Sequence, residues 1–179
     1  MKDAITVEVE IPEGVTATLD ASKFTVKGKT EASRSFVYPK IELKIEGQKV
    51  ILHTAKGTKR EKTIIGSFAS HIKNLIQGVQ EPHEYKLKIC SGHFPMNVSV
   101  SGQEFVVKNF LGESVPRKVT LTPGADVKVD GTQITVTSAD KEIAGQVAAK
   151  IEGLCRITNR DKRIFQDGCY ITHKAGKEI

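Results

Sequence analysis

The chain repeats itself. Phe24-Thr25-Val26-Lys27 returns as Phe105-Val106-Val107-Lys108, and Leu43-Lys44-Ile45-Glu46-Gly47 returns as Val127-Lys128-Val129-Asp130-Gly131. Val50 and Leu52 reappear as Ile134 and Val136, and Glu61-Lys62-Thr63-Ile64-Ile65-Gly66 aligns with Asp140-Lys141-Glu142-Ile143-Ala144-Gly145. Separate elements that recur in one order at a spacing of about 80 residues mark an internal duplication. Whatever the chain folds into must therefore be built twice. Each copy is small, so it has to close its own core with what lies inside the repeat.

Within a copy, the periodicities define the elements. Ile5 to Ile11 alternates apolar and polar residues, the period of a half-buried strand. Val15–Leu19, Phe24–Lys27, Ile41–Ile45 and Val50–Leu52 read as further strands, and residues 28–39 as an irregular loop holding Arg34, Phe36 and Tyr38. Ile64, Ile65, Phe68, Ile72, Leu75 and Ile76 then recur at helical spacing. Thr58 and Glu61 fit a capping box before that helix, and Gly78 fits a stop after it. The expected fold is α+β: a tandem duplication of an antiparallel sheet plus one helix. Gln80-Glu81-Pro82 is the natural boundary, which gives repeats at 1–82 and 83–155. Residues 156–179 have no counterpart in the first copy, and are expected to form an extension packed on or beside the second repeat.

That extension is where charge concentrates. Residues 1–82 carry 13 Lys+Arg against 10 Asp+Glu, residues 83–155 carry 8 against 8, and residues 156–179 carry 6 against 3. The shortest segment is the most densely basic. Arg156, Arg160, Lys162, Arg163 and Lys174 can meet phosphates. Phe165 and Tyr170 offer faces for stacking, Gln166 and Asn159 offer paired donors and acceptors, and Asp167-Gly168 is a turn signal. A solvated tail would not need Ile157, Ile164, Phe165 and Ile171. Asp167, being acidic, is expected to cap the turn or orient an arginine. In an extended segment Arg163 and Phe165 would share one face, with Ile164 packed on the other.

Other function classes find little support. Cys90, Cys155 and Cys169 are odd in number and unevenly spaced, as in reduced intracellular protein. No signal peptide or membrane-length apolar run is visible, and a cytoplasmic location is expected. There is no Walker or Gly-x-Gly-x-x-Gly motif. Cys169 and His173 are four residues apart, too far along a strand for a nucleophile–base hydrogen bond. They also lack the further ligands of a structural zinc site. No catalytic residue, metal, cofactor, membrane or small-molecule substrate is expected.

Two runs resemble a known family. The first is Gly66-Ser67-Phe68-Ala69-Ser70-His71-Ile72-Lys73-Asn74-Leu75-Ile76-Gln77-Gly78-Val79, leading into Tyr85-Lys86-Leu87-Lys88-Ile89 and His93-Phe94-Pro95. The second is Arg160-Asp161-Lys162-Arg163-Ile164-Phe165-Gln166-Asp167-Gly168-Cys169-Tyr170. Both are similar to the universal large-subunit ribosomal protein L-six family in its archaeal and eukaryotic form. The likeness covers nearly the whole chain. One loop departs: the family often has Gly-Pro-Lys-Gly followed by Leu-Ser-Arg, and of this Lys27-Gly28-Lys29-Thr30-Glu31-Ala32-Ser33-Arg34 keeps the Ser-Arg but lacks the Pro, the second Gly and the Leu.

The resemblance implies a structural, ribonucleoprotein role in translation. It implies binding to large-subunit rRNA near the stalk base and factor-binding region, with neighbouring large-subunit proteins as further partners. It points to the second repeat and its tail as the rRNA-binding part: Arg156, Arg160, Lys162, Arg163, Phe165, Gln166, Gly168, Tyr170 and Lys174. To these it adds the loop residues His93, Pro95 and Asn97; Arg117 and Lys118 are candidates on a shared face of a second loop. A non-ribosomal RNA-binding regulator on the same tandem fold is the alternative, and a small enzyme using Cys169 and His173 a third.

Overall fold

A computed structural model describes residues 3–179. The chain divides into two compact units, Met1–Pro82 and His83–Ile179. The first contains β1 (Ile5–Glu10), β2 (Thr16–Asp20), β3 (Lys23–Lys27), β4 (Glu31–Ser35), β5 (Glu42–Glu46) and β6 (Lys49–Thr54), then α1 (Lys59–Gln80). These strands form two antiparallel sheets, ordered β1-β6-β5 and β2-β3-β4. The second contains β7 (His83–Cys90), β8 (Asn97–Ser101), β9 (Glu104–Lys108), β10 (Arg117–Thr120), β11 (Asp126–Asp130) and β12 (Gln133–Ser138), then α2 (Lys141–Leu154). Two further strands follow, β13 (Gly168–Lys174) and β14 (Lys177–Glu178). The sheets here are β10-β9-β8 and β11-β12-β7-β13-β14. The fold is thus the expected α+β arrangement of a sheet-plus-helix unit made twice.

The alternating segments became strands because each buries one face. Val9 is 2% exposed while Glu8 and Glu10 on either side face solvent. β3 and β9 break the alternation in the same way. Phe24, Thr25 and Val26 are all buried, as are Phe105, Val106 and Val107, because each strand is the middle one of its sheet. Residues 31–35, expected within a loop, form β4 on the edge of that sheet. Ala32 is its one buried side chain, so there was little apolar signal to read.

The helix termini depart from expectation in the first unit. Thr58 makes no side-chain cap hydrogen bond. The Glu61 half of the capping box is present: its buried carboxylate accepts from the backbone at Thr58 and at Glu61 itself, and faces Lys40 Nζ at 3.6 Å. Gly78 lies inside α1, which continues to Gln80 and is closed by the Glu81 N–H donating to the Gln77 carbonyl. In the second unit Asp140 does cap α2, accepting from the Glu142 N–H at 2.8 Å.

The core of the second unit reaches past the repeated part. Leu87, Phe105, Val107, Ile134, Val136, Val147 and Ile151 pack with Cys155, Ile157 and Cys169, and Phe165 and Ile171 lie against this cluster. Burying a side chain such as Ile157 contributes about 1.5–3 kcal/mol. β13 pairs with β7 along its length, Gly168 opposite Cys90 and Ile171 opposite Leu87, with a register shift before His173.

Candidate nucleic-acid interface

Between α2 and β13 the chain has no regular structure, yet it is held at three points. Ile157 is buried just after the helix. Asp161 then makes a turn: its carboxylate accepts from the Arg163 N–H, and its carbonyl accepts from the Ile164 and Phe165 N–H groups. This turn overturns the extended reading of the segment. Ile164 is 63% exposed rather than packed, and Phe165 is the half-buried residue.

The third point is Asp167, whose side chain is 1% exposed. Its carboxylate accepts hydrogen bonds from the Gly92 and His93 backbone N–H groups and meets His93 Nδ1 at 2.6 Å. Burial disfavours its charge, but the His93 and Gly92 hydrogen bonds outweigh that and hold the carboxyl below its ordinary value. His93 also stacks on Phe165, ring centroids 4.8 Å apart, and the Arg160 guanidinium lies 4.9 Å from the same ring. Asp167 therefore neither orients an arginine nor merely closes a turn; it ties the loop after β7 to the tail.

These contacts bring His93, Arg160 and Phe165 together. Beside them a cleft of about 660 Å³ is lined by Arg156, Lys162, Gln166 and Tyr170, with Ile157 and all three cysteines in its wall. Tyr170 is 40% exposed. Gly168 has φ near +150°, and a Cβ there would lie 3.4 Å from the Tyr170 ring. Glycine therefore serves both a backbone that other residues rarely adopt and the close approach of that ring. Arg156, Arg160 and Lys162 are exposed. Arg163 is ion-paired to Asp161 at 2.7 Å but its side chain remains 90% exposed.

The remaining candidates lie apart or are engaged. Lys174 is exposed at the end of β13 away from Gly168. Pro95 and Asn97 are exposed, with the Pro95 carbonyl held by the Asn109 side chain at 3.0 Å. Arg117 is a structural clip. Its guanidinium donates to both Glu113 carboxylate oxygens and to the Leu154 and Arg156 carbonyls, and sits 4.2 Å over the Phe110 ring. Lys118 follows it in a strand and so projects to the opposite face, 3.8 Å from Glu104. The expected shared face of Arg117 and Lys118 does not exist. Among the described residues no group of three or more His, Cys, Asp and Glu side chains could hold a metal ion.

Residues 11–82 and 94–168 both match the family model described as Ribosomal protein L6. The chain belongs to that family. Similar proteins include the large ribosomal subunit protein uL6 of Methanocella arvoryzae, 46% identical over 170 residues, 94% of this chain and 96% of the relative. The protein of the same description from Haloarcula marismortui is 43% identical over 172 residues, 96% of this chain and 97% of its own length. The one from Methanococcus vannielii is 42% identical over 173 residues, 96% and 95%. The two matched stretches fall in the two units, as a duplicated family member requires. Membership makes this a structural, non-catalytic ribosomal protein.

Proposed function

We propose that the protein is a constituent of the large ribosomal subunit that binds large-subunit rRNA near the stalk base and factor-binding region, beside neighbouring ribosomal proteins. The face that meets RNA is the one assembled by residues 156–170 and the loop carrying His93, Pro95 and Asn97. One observation carries this reading. Exposed Arg156 and Lys162 line a cleft edged by Gln166 and Tyr170, exposed Arg160 and Arg163 belong to the same segment, and buried Asp167 ties that segment to the loop after β7. Cations carried on a backbone that is already held in place neutralise phosphates without the cost of ordering a tail, and a cleft with an aromatic and an amide at its rim suits an unpaired base. The relatives, named as large ribosomal subunit proteins, support the ribosomal setting.

Sucrose-gradient sedimentation tests the setting, because a constituent travels stoichiometrically with the large subunit. Protein that stays at the top of the gradient while still binding RNA would favour the non-ribosomal regulator. Crosslinking in intact ribosomes tests the face: nucleotides should attach to residues 156–170 and 93–97, and to few positions on the first unit.

A further inference from the structure

The two copies of the helix-backed sheet differ at one edge. In the second unit β7 has β12 on one side and β13 on the other, whereas in the first unit β1 has β6 on one side and no strand of the described residues on the other. Matching Val50 to Ile134 sets Thr6, Glu8 and Glu10 against Glu84, Lys86 and Lys88. Backbone polarity follows the same match. The Ile11 N–H donates to the Gln48 carbonyl at 2.8 Å, one step beyond β1 in the register it keeps with β6. Antiparallel pairs alternate between bonded and unbonded, so Ile5, Val7 and Val9 bond to β6, and the backbone groups of Thr6, Glu8 and Glu10 point off the sheet. Their equivalents in the second unit point at β13, where the Glu84 carbonyl accepts from Ala175 and the Lys86 carbonyl from Thr172 Oγ1.

We propose that the open edge of β1 takes up an extended, lysine- or arginine-bearing segment of a partner protein, added antiparallel as a fourth strand. The second unit supplies the template for the occupant: β13 puts Cys169 and Ile171 on the helix side, and Tyr170 opposite Lys88 on the outer side. Charge selects its chemistry. On the outer face of the first sheet Lys49 pairs with Glu8 at 2.8 Å and Lys44 with Glu42 at 3.0 Å, which leaves Glu10 and Glu46 as the excess negative charge, and the two glutamates of β1 stand where the second copy has lysines. Cross-strand partners of Glu8 and Glu10 are therefore basic. RNA is disfavoured there by carboxylate–phosphate repulsion. A second copy of β1 would set glutamates against glutamates. Ile5–Glu10 holds no proline, no lysine and no register shift, so its defence against indiscriminate pairing is the charge of Glu8 and Glu10, which a basic strand would neutralise. Val7, half-exposed where its equivalent Tyr85 is buried, is left for the added strand to cover.

The test uses the full chain and a ten-residue synthetic peptide alternating valine and lysine. Binding should slow amide exchange at Thr6, Glu8 and Glu10 and leave the β11 edge unchanged. Glu8→Pro removes one outward donor and, with the carboxylate, the ion pair to Lys49, while leaving the β1–β6 backbone hydrogen bonds; it should weaken binding about tenfold, and by more than Glu8→Gln, which removes the charge alone. Glu8→Lys with Glu10→Lys should transfer the preference to a valine–glutamate peptide, which keeps the outcome readable if the proline variant fails to fold. Absence of slowed exchange, or equal slowing by the glutamate peptide, overturns the proposal. So does a photocrosslinker at Thr6 that attaches to rRNA rather than to protein in intact large subunits.

Discussion

The Asp167 carboxylate accepts from the His93 backbone N–H at 3.0 Å and lies 2.6 Å from the His93 ring nitrogen, across 74 residues of sequence. Strand pairing makes this possible. Gly168 sits opposite Cys90, so the residue before β13 comes to rest beside the loop that follows β7. Two segments that the sequence presents separately thereby become one surface. Asp167 is acidic inside the most basic stretch of the chain because its work is internal: it accepts from two backbone donors of the loop, Gly92 and His93.

Removing that carboxylate should loosen the surface without unfolding the unit. Asp167→Ala leaves the Gly92 and His93 N–H groups without their acceptor, at a cost of about 1–3 kcal/mol. Chemical denaturation of residues 83–179 reads the loss. Amide exchange should show it concentrated at residues 91–97 and 158–167.

The same group sets a pH dependence. Its native pKa is lowered, so the unfolded chain binds the proton more readily. The stability it contributes is complete above about pH 5 and is lost as pH falls from about 4 through the lowered native value. The difference in unfolding free energy between the protein and Asp167→Asn should therefore shrink steadily between pH 5 and pH 2. A difference that grows on acidification would mean the carboxylate is not held as its contacts indicate.

Packing in the tail is assigned to Phe165, not Ile164. Phe165→Ala removes the ring that both His93 and Arg160 contact and should cost about 2–4 kcal/mol, less than a full core truncation because the residue is half-buried. Ile164→Ala, at a side chain 63% exposed, should stay within about 0.5 kcal/mol. Thermal melts of the two variants decide the assignment.

The contrast between these two residues shows what the sequence could and could not reveal. Strands were legible where one face is buried and alternation is strict, as in β1 and β5, and the duplication placed the second set. β4 was not, because Glu31-Ala32-Ser33-Arg34-Ser35 holds one small apolar residue and is a strand by virtue of its neighbour β3. In the tail, the alternation of an extended segment gives way to a turn at Asp161. The clue was Asp161, whose side chain can accept from a backbone N–H two residues on, as it does from Arg163. The cations of the tail were legible from charge density alone. The captivity of Arg117 was not, since its carbonyl partners Leu154 and Arg156 are brought to it only by the fold.

The thiols should differ in reactivity. Cys155 and Cys169 are buried, their sulfurs 3.7 Å apart, whereas Cys90 is partly exposed. A maleimide reagent on the native protein should modify Cys90 first, and the other two only on unfolding. Fast labelling of Cys169 would revive the discarded nucleophile reading.

The exposed cations of the tail should carry the salt dependence of rRNA binding, and the engaged Arg117 should not. Neutralising roughly four to six phosphates gives log affinity a slope of about −3 to −5 against log salt. Arg156→Ala and Lys162→Ala remove exposed cations and should each reduce that slope by about one, with melting temperature nearly unchanged. Arg117→Ala should do the opposite. Its charge is already spent on Glu113 and two carbonyls, so the slope should hold while stability falls by about 1–3 kcal/mol. A reduced slope for Arg117→Ala, measured on rRNA at several salt concentrations, would place that guanidinium on the RNA. Glu113 would then have to release it when the complex forms.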